Sequence, residues 1–295
     1  MAKPKKVREP ISIRKELSLT PGYILCVAWL AFTVAVVGWT VCASFVAPLE
    51  IFGGSMLSNF FERLFSFDLE VDNYALAWTS QNLSAYFMNS LLYCIISLVV
   101  LIIIAAPASY VLSRFKFRFN ALIQNLVSIA MGVPAVMVIM PLFSISTSLK
   151  ITGERSVMLL LYIGMNIPFT VFYLLPFFKN LPTGLEEAAA VDGCGPIITF
   201  WRIMFPLAQP GVITVTIFNF ITIWNEFFMS MIFANKQEIR PIAVGLFNMI
   251  QGMKYSGHWG AMFASAVIVF APTFVIYVIL SNKIIASVTG GAIKG

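Results

Sequence analysis

The sequence predicts an all-α integral membrane protein with six transmembrane helices and both termini cytoplasmic, and three observations carry that reading. The first is composition. The 295 residues are 59% hydrophobic and 11% charged, whereas a soluble domain carries roughly 25% charged residues. The second is the spacing of the apolar runs. Six stretches of the roughly 20 apolar residues needed to cross a bilayer fall at about 22–47, 86–112, 121–147, 156–178, 209–234 and 260–282. The third is the placement of positive charge. With the N-terminus inside, the cytoplasmic segments hold 13 Lys and Arg residues and the outer segments hold 6, the asymmetry that sets membrane orientation.

The elements follow in order. A basic tail, 1–21, precedes the first span, 22–47. That span is about twice the length of a signal-peptide core and lacks a good cleavage site, so it reads as an uncleaved membrane helix. The outer loop, 48–85, carries Glu50, Glu62, Asp68, Glu70 and Asp72 against a single cation, Arg63. Residues 86–283 form a core with five further spans. Arg114, Lys116 and Arg118 anchor its first inner turn, the connection 179–208 lies on the cytoplasmic face, and a tail, 284–295, closes the chain. Pro107, Pro134, Pro141, Pro168, Pro176 and Pro272 fall inside spans, where proline bends a helix and neighbouring helices re-satisfy the freed carbonyl.

Several chemistries are excluded by what the residues do not form. The net charge of +6 lies beside apolar spans and not in one stripe, so it does not indicate nucleic acid. Cys26, Cys42, Cys94 and Cys194 are widely spaced without a C-x-x-C pair, which indicates neither zinc nor a disulfide framework. His258, the single histidine, has no partner for metal binding. There is no G-x-S-x-G motif and no catalytic constellation. There is also no phosphate-binding G-x-x-x-x-G-K-[ST] loop, so the chain is not itself an ATPase.

The least membrane-like stretch is 185–206, LEEAAAVDGCGPIITFWRIMFP. Thr183 and Glu186 have capping-box spacing, T-x-x-E, after Pro182. Glu186 and Glu187 suit the positive first turn of a helix. Gly193 is placed to be the left-handed residue that ends the helix. Pro196 then opens a second helix and Pro206 closes it. Leu185, Ala188, Ala189 and Asp192 share one face of the first helix, whose small alanines admit a close neighbour. Ile197, Ile198, Phe200, Trp201 and Ile203 make the second helix apolar, with Arg202 toward lipid headgroups. On these grounds alone the helix–turn–helix is either an interfacial connector or a docking element.

At these residues the chain resembles the permeases of binding-protein-dependent ABC transporters. Their cytoplasmic signature is E-A-A, three residues, G, nine residues, I-x-L-P. Here Glu187-Ala188-Ala189 is followed by Gly193 and then by Ile203-Met204-Phe205-Pro206, with Phe205 in place of leucine. The stretches 89–117, 224–228 (WNEFF) and 290–295 (GGAIKG) are similar to the maltose-type carbohydrate branch. The resemblance implies a type I importer permease fold in a bacterial or archaeal cell membrane. It also implies a partner set: a second homologous permease, as a heterodimer, two ATP-binding subunits that hold ATP and Mg, an extracytoplasmic solute-binding protein and a carbohydrate. No cofactor is expected on this chain. The residues it implies for ATPase coupling are Glu186, Glu187, Ala188, Ala189, Asp192, Gly193, Ile203 and Pro206, with Lys294 and Gly295 as a tail contact.

Asn225 and Glu226 fall inside the fifth span, where an ionisable group is costly and faces partner helices or a wet cavity. A transport-pathway role and a buried helix-bonding role both remain open for them. The alternative to an ABC permease is an ion-coupled carrier acting alone, which normally shows several intramembrane acids and inverted repeats. Here Glu226 stands alone.

Overall fold

The computed structural model describes residues 13–79 and 82–292, and these form helices and no strand. In chain order they are α1 (Ile13–Ser44), α2 (Met56–Ser66), α3 (Asp72–Thr79), α4 (Leu83–Arg114), α5 (Asn120–Met131), α6 (Ala135–Ser148) and α7 (Arg155–Lys179). They continue with α8 (Gly184–Val191), α9 (Pro196–Thr199), a π turn at Phe200–Met204, α10 (Phe205–Leu207), α11 (Gln209–Trp224), α12 (Phe228–Phe233), α13 (Ile242–Ser256) and α14 (Trp259–Ala292). Among the described residues four continuous helices are long and apolar enough to cross a membrane: Leu19–Ser44, Leu83–Arg114, Arg155–Lys179 and Trp259–Ser281. Two bent pairs, Asn120–Met131 with Ala135–Ser148 and Pro196–Leu207 with Gln209–Trp224, bring the number to six when each counts as one span. The second pair takes in 196–207, which the sequence placed in the cytoplasmic connection.

Three boundaries differ from expectation. Helix α1 begins at Ile13, inside the stretch read as a tail. The third span is broken: α5 and α6 meet at 103°. Pro134, which is extended (φ −61°, ψ 131°), lacks an N–H and excludes helical backbone at Val133. Pro107, Pro141, Pro168, Pro176 and Pro272 stay inside continuous helices. The fifth span ends as a helix at Trp224, and the short α12 resumes only at Phe228.

The chain divides into two compact units. One comprises the described residues up to Tyr74 together with His258–Val267; the other comprises Ala75–Gly257 and the described residues from Ile268 onward. In the first unit, Ala43, Val46 and Met56 form a small buried cluster with Phe263 against it. Arg63 gathers the acidic loop: its guanidinium lies 3.1 Å from both Glu50 and Glu70 and 3.9 Å from Asp68. The Glu50 hydrogen bond holds that guanidinium's proton affinity above its ordinary value.

In the second unit, α4 and α7 pack along one another, with α11 against both. Small residues at the contact let the backbones approach, as packing in lipid requires. Ala105, Ala106 and Ser109 are fully buried on α4, and the Ser109 hydroxyl donates to the Ala105 carbonyl (2.6 Å) and across to that of Val171 (3.2 Å). Asn219 on α11 donates to Thr170 Oγ1 on α7 (2.8 Å). Gly211 lies under the Phe177 ring, where a Cβ would come within 2.5 Å. The connection ahead of α13 is fastened to α4 through its own backbone. Asn89 Nδ2 donates to the carbonyls of Glu238 (2.8 Å) and Arg240 (3.0 Å), and the Tyr93 hydroxyl donates to that of Ile239 (2.8 Å).

Candidate functional site

The connection after α7 is the helix–turn–helix expected from the sequence, although it begins differently. The capping box does not form. Thr183 is itself helical (φ −65°, ψ −30°) and its side chain caps nothing. Instead its carbonyl accepts from the N–H groups of Glu186 (3.0 Å) and Glu187 (3.2 Å). The end of α8 is as expected: Gly193 has φ +78°. Its N–H donates to the Ala190 carbonyl (3.1 Å), and the Cys194 N–H donates to the Ala189 carbonyl (2.8 Å). This pair of bonds is the Schellman motif, which satisfies the last carbonyls of α8. Pro196 then takes the first position of α9, where its missing N–H costs nothing. Four residues later the helix widens into the π turn, and Phe205 N–H reaches the Phe200 carbonyl just ahead of Pro206.

The carboxylate of Glu186 goes to the bundle instead of the cap. Tyr110, near the end of α4, donates its hydroxyl to Glu186 Oε1 (2.6 Å). Arg114, one turn on, pairs with Oε2 (3.1 Å) and donates to the Leu181 carbonyl (2.8 Å). Arg114 is 8% exposed and Glu186 23%, so these charge-assisted bonds form where water competes weakly. Beneath them lies an aromatic and aliphatic core of Tyr110, Leu174, Phe178, Phe200 and Met204, with Leu185, Ile203 and Phe205 packed on it. Beside the bracket a cavity of about 250 Å³, lined by Tyr110, Arg114, Glu186, Cys194 and Thr199, interrupts the packing.

This arrangement rotates α8 by one residue from the expected face. Leu185, Glu186 and Ala189 turn inward, whereas Glu187, Ala188, Ala190, Val191 and Asp192 are exposed. Glu186 finds partners that outweigh its polarity, and the helix follows it. On the second helix Ile197, Ile198 and Trp201 are exposed and Phe200 and Met204 are buried. Phe205, the residue that departs from the signature, packs its ring at 5.2 Å from Trp201 and 5.9 Å from Phe200.

A match over residues 99–284, well over half of the chain, is found with the family described as binding-protein-dependent transport system inner membrane component. The chain belongs to this family. Among its relatives, the permease is 30% identical to the diacetylchitobiose uptake system permease protein NgcG of Streptomyces coelicolor, over 92% of this chain and 88% of that protein. It is 30% identical to the sulfoquinovosyl glycerol transport system permease protein SmoH of Agrobacterium fabrum, over 76% and 78% of the two chains. It is 27% identical to a probable starch degradation products transport system permease protein, AmyC of Thermoanaerobacterium thermosulfurigenes, over 96% and 98%. The crystal structure of a bacterial ABC transporter involved in the import of the acidic polysaccharide alginate shares the permease's fold. Its TM-score is 0.77 at 18% identity, covering 93% of this chain and 99% of that chain.

The permease places its second pair of candidate residues at a helix break. Asn225 ends α11, exposed, with its amide donating to the Ile221 carbonyl (2.8 Å). Glu226 is bound within the fold. Its two carboxylate oxygens accept from the N–H groups of Met229 (2.7 Å) and Ser230 (3.0 Å), capping α12. The Ser230 hydroxyl also bonds to this carboxylate and pairs with the Tyr162 hydroxyl (2.6 Å). An acid at a helix N-terminus is favoured by the orphan N–H groups there. His258 is exposed. Lys294 and Gly295 lie outside the described residues. Sequence reasoning missed Tyr110 as a site residue and took Arg114 only for a topological anchor. Their i, i+4 spacing at the end of α4 puts them on one face, but nothing local names Glu186 as their partner.

Proposed function

We propose that this permease forms half of the translocation pore of an ATP-driven importer for a carbohydrate, and that α8, its glycine turn and α9 are the dock for a separate ATPase. The observation that carries the reading is the division of labour on α8. Glu186 and Ala189 face the bundle, while Glu187, Ala188, Asp192 and Gly193 face away from it. A stiff element fixed on one side and free on the other transmits the closure of soluble subunits to membrane helices. In this scheme Glu187 and Asp192 pair with cations of the ATPase, and Ala188 allows close approach. Glu186, Ala189 and Ile203 hold the element to the permease, and Pro206 lies exposed at its end. The tail residues Lys294 and Gly295 reach the same ATPase.

The named substrates of the relatives, diacetylchitobiose, sulfoquinovosyl glycerol and starch products, support a sugar, oligosaccharide or glycoside as cargo. The remaining partners are a second homologous permease in a heterodimer, two ATPase subunits that hold ATP and Mg, and an extracytoplasmic binding protein. The 13-to-6 distribution of Lys and Arg supports cytoplasmic termini in a bacterial or archaeal cell membrane. Asn225, exposed at the helix break, is the polar side chain offered to the sugar; Glu226 holds the break in shape. Reconstitution in liposomes with the partner subunits tests the scheme. Uptake then requires ATP and the binding protein, and Glu187→Lys abolishes it while leaving the thermal stability of the permease unchanged. Gradient-driven uptake by this chain alone overturns it.

A further inference from the structure

The outer-loop helix α2 has three sectors, set by the 100° that each helical residue turns. Met56, Phe60 and Arg63 point into the first unit, where Met56 is buried and Phe60 and Arg63 are half-buried. Leu57, Phe61, Leu64 and Phe65 occupy the next sector and are 52%, 51%, 40% and 80% exposed. Ser58, Glu62 and Ser66 fill the third sector and are exposed. A four-residue apolar face left bare beside a polar one requires an occupant.

Its level in the unit identifies that occupant. The apolar span of α1 ends at Ser44. Phe60 packs on Phe45, one residue beyond (6.5 Å), and Met56 is buried with Ala43 and Val46. The span within α14 starts at Trp259, whose ring meets Phe52 edge-on at 5.4 Å, and Trp39 meets Phe263 at 5.0 Å. Two span ends therefore bracket the segment that carries α2. The side chains along α1, among them Trp29, Phe32 and Val36, are exposed over the span, a surface that lipid covers, and the apolar sector of α2 continues it at its end.

We propose that α2 lies in the plane of the membrane–water interface, with Leu57, Phe61, Leu64 and Phe65 seated in the headgroup and upper acyl region. Amphipathic helices at this depth bind through their apolar area and through attraction of basic residues to anionic lipid. The polar sector of α2 holds Glu62 and no Lys or Arg, so the seat rests on apolar area and does not depend on anionic lipid. The inference rests on the membrane reading of α1 and is independent of the ATPase and of the sugar.

The test uses the full chain assembled with its transporter partners in phosphatidylcholine vesicles, with the four native cysteines replaced by alanine. Nitroxide labels are placed one at a time through Phe61→Cys, Phe65→Cys, Ser58→Cys and Glu62→Cys. Power saturation with oxygen and with a water-soluble nickel chelate then reads depth. Labels at 61 and 65 are expected to meet oxygen and be shielded from nickel, labels at 58 and 62 to show the reverse, and the pattern to persist when phosphatidylglycerol is added. Labels at 61 and 65 that are immobile and shielded from both reagents mean that a protein partner covers the face, and the proposal fails. Nickel access at 61 and 65, or equal access at all four positions, also overturns it. The exposed positions leave Met56, Phe60 and Arg63 in place to hold the helix.

Discussion

Replacing Glu186 by alanine removes the one carboxylate that joins α8 to α4. It takes away the Tyr110 hydrogen bond at 2.6 Å and the Arg114 ion pair at 3.1 Å and leaves a guanidinium that is 8% exposed. Removing one partner of a buried pair costs about 3–5 kcal/mol. Two features of the site bring the figure to the lower end. Glu186 is 23% exposed, and Arg114 keeps its bond to the Leu181 carbonyl. At about 3 kcal/mol, and with roughly 2–4 °C of Tm lost per kcal/mol in a chain of this order, Glu186→Ala lowers Tm by roughly 6–12 °C. Glu186→Gln retains an acceptor for Tyr110 and loses about half as much, because hydrogen bonds to a charged group contribute about 1.5–3 kcal/mol. In proteoliposomes with the partner ATPase, Glu186→Ala is expected to continue hydrolysing ATP while uptake per ATP falls, since the dock stays intact and its attachment loosens. An unchanged Tm together with unchanged uptake per ATP for Glu186→Ala would refute the bracket. A fall in hydrolysis with full retention of Tm would move Glu186 to the docking face.

Three further outcomes follow from neighbouring geometry. Gly193→Ala meets no atom within 4 Å but must hold φ +78°, a left-handed conformation that costs about 1–2 kcal/mol for an L-residue; Gly193→Asn, measured alongside by thermal unfolding, loses less. Gly211→Ala places a Cβ within 2.5 Å of the Phe177 ring, and overpacking of this kind costs about 1–3 kcal/mol; Gly211→Ala with Phe177→Leu recovers part of the loss in the same melt. Glu226→Gln keeps an acceptor for the N–H of Met229 or Ser230 and sustains sugar uptake, whereas Glu226→Ala loses about 1–2 kcal/mol as a missing helix cap does; abolished uptake with unchanged stability in Glu226→Gln would assign the carboxylate to the transport path.

What the sequence disclosed and what it concealed divide by range. The four continuous spans depend on composition over one stretch and were legible. So were the Gly193 turn and the Pro196 start, because glycine's left-handed freedom and proline's missing N–H act within a few residues. The six prolines within spans were indistinguishable by type. Only Pro134, preceded by Gly132 and Val133, breaks its helix, with α5 and α6 meeting at 103°, while Pro107 and Pro168 are absorbed in helices packed on one another. Pro141 and Pro272 are absorbed too, in helices with little packing around them, so neither residue type nor neighbours alone single out Pro134. The capping box failed for a long-range reason. Its spacing was right, but the carboxylate had a better partner 76 residues away on α4.

The two adjacent glutamates show why a signature and a structure answer different questions. Glu186 and Glu187 are one residue apart, so their side chains leave α8 about 100° apart, and both sit in the first turn, where negative charge is favourable. Composition and charge treat them alike, and the capping-box spacing assigns Glu186 to a cap it does not form. Tyr110 and Arg114 break the tie, because they offer a hydroxyl and a guanidinium on one side of the helix only. Once Glu186 is bound there, the phase of the whole helix is set. Ala189, one turn on, is buried, and Glu187, Ala188 and Asp192 are left exposed. The outward position of the signature glutamate is therefore imposed by its neighbour's bond. A permease in which Arg114 and Glu186 were exchanged, Arg114→Glu with Glu186→Arg, should recover part of the uptake per ATP that either single change loses, because the ion pair returns while the Tyr110 and Leu181 bonds do not.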